Sequence, residues 1–477
     1  MLGSFWVLLS ILILMAARAR ASVPEIEVRL ESHLTSYATA AGSEFSAIVI
    51  SPLESDGEVL MPPGTRIWGR VRKASAVGVG IRRERAGLDL EFREYELADG
   101  RRFPLEATLR RVDNAREEVT REGRVRGILA ADSPYGLLCS IWLRPSLNVP
   151  AGLTSATGMV STRMALGPIG AAGLIGLRML LFRWPEPEIH MPPGTEMKLA
   201  IVSLPAEAPR FPVEISQPLD AGIQSELLSR SYLVSKADGR TAADIINVAF
   251  VGTRDQLIRS FELAGWTSAE PLTKRSFAKT CSALTRRQGY ATAPVSLLLN
   301  EKKAPDLVFQ KSWNTLSKRH HVRIWQAGSV DGSGLWVGAG THDVGFVFDK
   351  KGMNFSHQID PRIDSERAKI VNDLTYAACT QNVNYLDRRD AVRRPTGRPG
   401  VRSDGSLAVM ELQDCTGKIP GEGLVVPKRP GGPLKLLARR FLLETRHTVL
   451  RGNLIYLAYR AYRWRYTGFQ PVASVPE

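Results

Sequence analysis

At 477 residues, 44% apolar and 23% charged, the chain has the composition of a globular protein of two or three domains, which excludes a disordered or fibrous one. Its formal charge of +15 suits anionic partners such as phospholipid head groups, acidic glycans or nucleic acid, or else a solvated basic surface. Zinc-finger spacings and RNA-binding signatures with interleaved aromatics are missing, which excludes the common nucleic-acid modules.

Residues 4–15, SFWVLLSILILM, form an apolar run of signal-peptide length, and Ala19-Arg20-Ala21 places small residues where a signal peptidase reads them. Residues 1–21 are therefore expected to be a cleaved signal peptide, with a retained N-terminal anchor as the alternative. The expected location is the periplasm or cell envelope. Export disfavours nucleic acid as a partner and leaves an anionic membrane surface or other envelope components. Nothing in the sequence fixes an oligomeric state.

Residues 22–150 read as a β-rich domain. EIEVRLESHL, EFSAIVISPL, TRIWGRVRKA, GLDLEFREYEL and FPLEATLRRV alternate apolar and polar residues, the period of half-buried strands. Met61-Pro62-Pro63-Gly64-Thr65 recurs as Met191-Pro192-Pro193-Gly194-Thr195, each copy ahead of a strand. Two similar turns, or a duplicated β unit, account for the repeat. A Pro-Gly-Thr turn between such strands resembles the periplasmic β-domains of the VirB10/TrbI type of secretion and conjugation proteins.

Residues 151–239 read as a connector and a second β segment. The connector contains ALGPIGAAGLIGLRMLLF (165–182), with glycines at intervals of three. Arg178 at mid-bilayer would cost roughly 2.5–3.5 kcal/mol, and Pro168 and the glycines weaken a helix. A flexible connector or membrane-associated hairpin is expected in preference to a span.

Residues 240–425 read as a second domain. INVAFVG has strand length; TRDQLIRSFELAGW follows at helical spacing with Gly265 at a C-cap position; a helix is expected over about 365–379. The expected fold is thus multi-domain: an N-terminal all-β unit, sandwich or barrel-like, followed by an α/β or α+β domain. Of the four cysteines none forms a CxxC pair; Cys281 with Cys379 is the expected disulfide, and separate buried thiols the alternative. Residues 426–477 carry a basic, aromatic-rich helix from Leu434 to Tyr466, which suits either the surface of an anionic membrane or packing on the domain with a basic outer face.

Four of the seven histidines lie between His320 and His357. Three strands are expected there, 319–326, 335–349 and 353–360. Alternation places His320, His342 and His357 on apolar faces and Arg319, His321 and Arg323 on the opposite one. The three histidines are either hydrogen-bonded core groups or ligands of a zinc-type divalent metal. Arg319, His321 and Arg323 read as an anion pocket or catalytic face. Asp360 or Asp364 reads as a helix N-cap, with Pro361 and Glu366 in the first turn, or as a general base or histidine partner.

These residues resemble the LssY C-terminal domain family of bacterial envelope proteins. The resemblance rests on Arg319-His320-His321 with Arg323 and Trp325, on Trp336-Val337-Gly338-Ala339 with Thr341, Asp343 and Gly345, and on His357, Ile359-Asp360, Ile363-Asp364 and Glu366-Arg367. It spans residues 240–415. That family is sometimes joined to membrane modules of the lipid-phosphatase type; this chain carries a β-rich half instead, so no phosphatase activity is carried over.

The leading expectation is an exported envelope protein of undefined activity, a scaffold or accessory component of a secretion or surface-assembly system. The rival is a hydrolase acting on an anionic, phosphoester-type substrate. Its candidate catalytic residues are His320, His321, Asp343, His357, Asp360 and Asp364, and Arg319, Arg323 and Arg367 would hold the anion. Whether the chain is an enzyme stays open at this point.

Overall fold

The computed structural model describes residues 23–113, 117–127, 188–280, 290–311, 319–349, 354–388, 402–417 and 427–446, apart from 80–82, 84, 214, 215, 272, 277, 291 and 331, together with 167, 169, 170 and 173. The expected signal peptide, most of the glycine-rich connector, Cys139, Cys281 and the end of the chain lie outside the described residues.

The first half is a closed antiparallel barrel. Its strands are β1 (Glu25–Leu30), β2 (Glu44–Val49), β3 (Arg66–Ser75), β4 (Gly87–Glu96), β5 (Arg102–Val112) and β6 (Glu196–Ser203). They pair in the order β3-β2-β1-β6-β5-β4, and β4 returns to β3. Closure removes the exposed strand edges that an open sheet would present. Alternate residues point inward: Ile26, Val28 and Leu30, then Phe45, Ala47 and Val49, then Met197, Leu199 and Ile201. At Gly69 a Cβ would come within 2.4 Å of the Phe45 ring and 2.6 Å of the Glu91 carbonyl, so only glycine lets β2 and β4 close over this point of β3.

The barrel corrects the expected domain boundary. β6 belongs to the second β segment of the sequence, yet it sits between β1 and β5 and completes the first domain. It also settles the repeat. Gly64 donates its N–H to the Val49 carbonyl at the end of β2 (2.8 Å), and Gly194 donates to Leu30 at the end of β1 (2.7 Å). Thr65 and Thr195 each bond back to the first proline of their motif, and their carbonyls accept from Val49 and Leu30. Gly64 and Gly194 have φ of 88° and 90°, a conformation that L side chains avoid. The two copies are one unit used twice in a single barrel.

The second half is a mixed sheet with helices on both faces. Helix α1 (Ala221–Ser229) precedes β7 (Val248–Val251), helix α2 (Arg254–Leu263), β8 (Leu307–Lys311), β9 (Arg319–Val330), β10 (Ser333–Asp349), β11 (Asn354–Ile359), helix α3 (Ile363–Tyr376), β12 (Thr380–Asp387) and β13 (Ser406–Leu412). The sheet order is β8-β9-β10-β7-β13-β12, with β7 and β13 parallel and β11 on the far half of the long β10. Thr253 caps α2 in a reciprocal capping box with Gln256. The sheet face carrying Phe250, Val322, Ile324 and Met410 packs on α2 and α3; the other, carrying Ala249, Trp325, Val337 and Val409, packs on α1.

A disulfide joins Cys379, just past α3, to Cys415, just past β13. This corrects the expected Cys281–Cys379 pairing: β12 and β13 are antiparallel neighbours, which brings the ends of those two segments together. Helix α4 (Pro433–Arg446) returns to the barrel. Arg429 and Arg439 pair with the buried Glu188, Arg446 donates to the Gly78 carbonyl, and Leu443 packs against the barrel core. No helix among the described residues is long and apolar enough to cross a membrane.

Candidate functional site

The Arg-His-His run opens β9, and strand alternation sends His320 to the α3 side of the sheet. Its cross-strand partner on β10 is His342, and the two imidazole rings stack with centroids 4.1 Å apart and planes 14° from parallel. Helix α3 lies across this pair because residue 340 is glycine. A Cβ there would meet the Ile370 side chain at 2.6 Å and the Glu366 side chain at 3.5 Å. Asn247 fixes the same point, exchanging two hydrogen bonds with Gly340 and donating a third to the Ile363 carbonyl at the start of α3.

Glu366 in the first turn of α3 is thereby placed against His320, with Oε2 2.6 Å from Nδ1. The other ring nitrogen, Nε2, faces Oδ2 of Asp113 at 3.4 Å. Asp113 follows β5 of the barrel and is held in turn by Arg111 at 3.1 Å. The site is therefore built from both halves of the chain. One donor atom from each of His320, His342 and Glu366 lies within 4.8 Å of the other two.

The electrostatics follow from this enclosure. Burial alone would lower the His320 pKa; the Glu366 charge, with hydrogen bonds to Asp113 and Glu366, outweighs it and raises the value to about 9. His342 is driven the other way, well below the ordinary histidine range, by burial and by the neighbouring charges of His320 and Arg111. Burial would raise Asp113, but Arg111 and the His320 hydrogen bond hold it far below the usual carboxylate range. At neutral pH this is an imidazolium between two carboxylates, stacked on a neutral imidazole.

Beside it lies a larger buried network between the halves. Glu196 of β6 accepts from Lys311 (2.6 Å), Lys369 (2.7 Å) and Arg29 (2.9 Å). Asp373 of α3 pairs with Lys311, Lys369 and Arg29, and Glu27 with Lys369. Trp266 donates its indole N–H to Asp373 and sits edge-on to His320. Three cations thus face three carboxylates, a balance that makes tolerable the burial of five of them, with Glu27 partly exposed.

The opposite face of β9 differs from the open pocket that its polar sequence implies. Arg319 donates to Asp343, Gln310 and the carbonyls of Ala293 and Pro294. Arg323 donates to Ser296 and Asp244. His321 bonds Thr341 at 2.7 Å. All are buried beneath residues 293–296, so the arginines serve as internal cross-links and present no guanidinium to an outside anion. Arg367 is likewise taken up by Asp364, Asp404 and the Ser406 carbonyl.

The acids after β11 also take other roles. The N-cap residue of α3 is Arg362, with no side-chain cap, instead of Asp360 or Asp364. Asp360 accepts from the Arg362 amide, and Asp364 accepts from Ser403 and the Asp404 amide, tying β13's approach to α3. His357 is opposite Phe346 in the register, four residues along β10 from His342. At the rise of a strand that is about 13 Å, too far for a three-histidine centre; Glu366 stands in its place. Asp113 and Arg111 carry no sequence cue, since 207 positions separate Asp113 from His320.

Residues 228–407 match the sequence model of the family described as LssY C-terminus, so the stretch from the end of α1 to the start of β13 is similar to that family. Comparison with curated proteins finds no match.

Proposed function

We propose that the chain is an exported scaffold of the cell envelope that docks on an anionic membrane surface through helix α4. The carrying observation is the outer face of that helix. Leu434 (81% exposed), Leu437 (57%), Phe441 and Leu442 form an apolar stripe with no cover among the described residues. Lys435 and Arg440 flank it, and Glu444 is the only acid of the helix. Basic side chains beside a one-sided apolar stripe match an interface of anionic head groups over acyl chains, and each such cation near the surface contributes about 1 kcal/mol.

The inner face of α4 is pinned to the barrel through Glu188, so membrane contact would be transmitted to the whole body. The buried charges between barrel and sheet domain support the reading of that body as one unit. The disulfide supports an oxidising compartment, and the signal-peptide pattern and overall charge of +15 agree. The hydrolase reading loses its anion-holding arginines to internal partners.

Co-sedimentation of the mature chain with vesicles tests this. Binding is expected with vesicles rich in phosphatidylglycerol, weaker in high salt, and lost in Leu437→Glu/Phe441→Glu. Equal binding by that variant would end the proposal.

A further inference from the structure

We infer that His320, His342 and Glu366 form a site for one divalent transition-metal ion, with Asp113 of the barrel as the carboxylate that orients His320. The donor set, two imidazoles and one carboxylate, suits zinc and its neighbours and not magnesium or calcium, which prefer all-oxygen ligands. Each donor comes from an element that the fold already holds in register: β9, β10 and the first turn of α3.

Two observations beyond the clustering point to a ligand. Glu366 is 3% exposed, and its Oε1 is buried with no hydrogen-bond partner among the described residues. A buried carboxylate oxygen left this way costs free energy unless something coordinates it. The second is the Asp113 contact. Metal-bound histidines commonly donate their far ring N–H to a carboxylate, which fixes the tautomer and aims the near nitrogen. His320 has that arrangement: Nε2 toward Asp113 and Nδ1 toward Glu366. The ion would take the place of the proton between Nδ1 and Glu366, so one proton leaves as the metal enters.

The stacked rings set one requirement. Parallel imidazoles present their nitrogens side by side and not toward a common point, so the His342 ring must turn about its terminal torsion, which is a soft one. His342 is only partly buried. The site is distinct from the His33–His190 pair, whose Nε2 atoms lie 2.7 Å apart at the barrel edge.

Zinc titration of the metal-free mature chain against a chromophoric chelator, followed by cobalt substitution, tests the inference. One equivalent of zinc is expected, with ligand-field bands of a nitrogen–oxygen site in the cobalt form. Asp113→Asn should weaken binding about 10–100-fold. His342→Gln and Glu366→Gln should lose stoichiometric binding, and His33→Gln should keep it. Absence of stoichiometric zinc in the wild type, or full retention by His342→Gln, overturns the inference; so does loss in His33→Gln, which would move the ion to the barrel edge. His342 is outside the tight core, so His342→Gln, checked for native circular dichroism, decides even if Glu366→Gln fails to fold.

Discussion

Glu196→Gln is the sharpest perturbation of the junction between the halves. The substitution keeps the shape and removes one charge from a set of three cations and three carboxylates, all buried but the partly exposed Glu27. Lys311, Lys369 and Arg29, at 2.6, 2.7 and 2.9 Å, then share only Asp373 and Glu27. Breaking a buried ion pair by removing one partner costs about 3–5 kcal/mol, because the other charge is left uncompensated. Urea unfolding of residues 22–477 should show that loss, with barrel and sheet domain separating into two transitions. A loss under about 1 kcal/mol, with a single transition, would refute the assignment of this network as the joint, since that is the size expected of an exposed pair. The pH dependence has a definite sign. Burial would raise Glu196, but Lys311, Lys369 and Arg29 hold its pKa well below the ordinary glutamate value. Its contribution is therefore complete above the unfolded value of about 4.3 and is lost as pH falls through the folded one. The gap between wild type and Glu196→Gln should be constant at neutral pH and shrink in acid below that value.

Three further outcomes follow from other parts of the fold. Cys379→Ser should cost about 3–4 kcal/mol, from the loop closed by the disulfide, and added reductant should destabilise the wild type alone in a thermal melt. Gly64→Ala should cost about 1–2 kcal/mol in equilibrium unfolding, from the positive φ alone, because the added Cβ meets nothing within 4 Å. Glu188→Gln should release Arg429 and Arg439, and with them α4, from the barrel, and limited trypsinolysis should then cut within 428–446 faster than in the wild type.

Much of the architecture was legible because strands and capped helices write themselves in short periods. The alternation in 25–112 gave the barrel strands, and Gly265 marked the end of α2. The repeated Met-Pro-Pro-Gly-Thr gave two turns, yet not that β6 would enter the first barrel, because strand pairing across residues 113–196 leaves no local trace. The strands of the His-rich stretch were legible, and alternation put His320 and His342 on apolar faces; their cross-strand pairing is what the structure adds. The third member of the set was not, because His357 and Glu366 are both compatible with the pattern until the register of β11 and the gap at Gly340 choose between them. The face of Arg319, His321 and Arg323 read as polar and open; residues 293–296 cover it, and a covering loop does not announce itself in the strand that it covers.

Hydrogen–deuterium exchange of residues 22–477, with and without phosphatidylglycerol-rich vesicles, tests the central claim most directly. Slower exchange confined to 433–446, with β1–β6 and the sheet domain unchanged, is the result predicted for docking through α4. Unchanged exchange in that helix, or protection centred elsewhere, would contradict it.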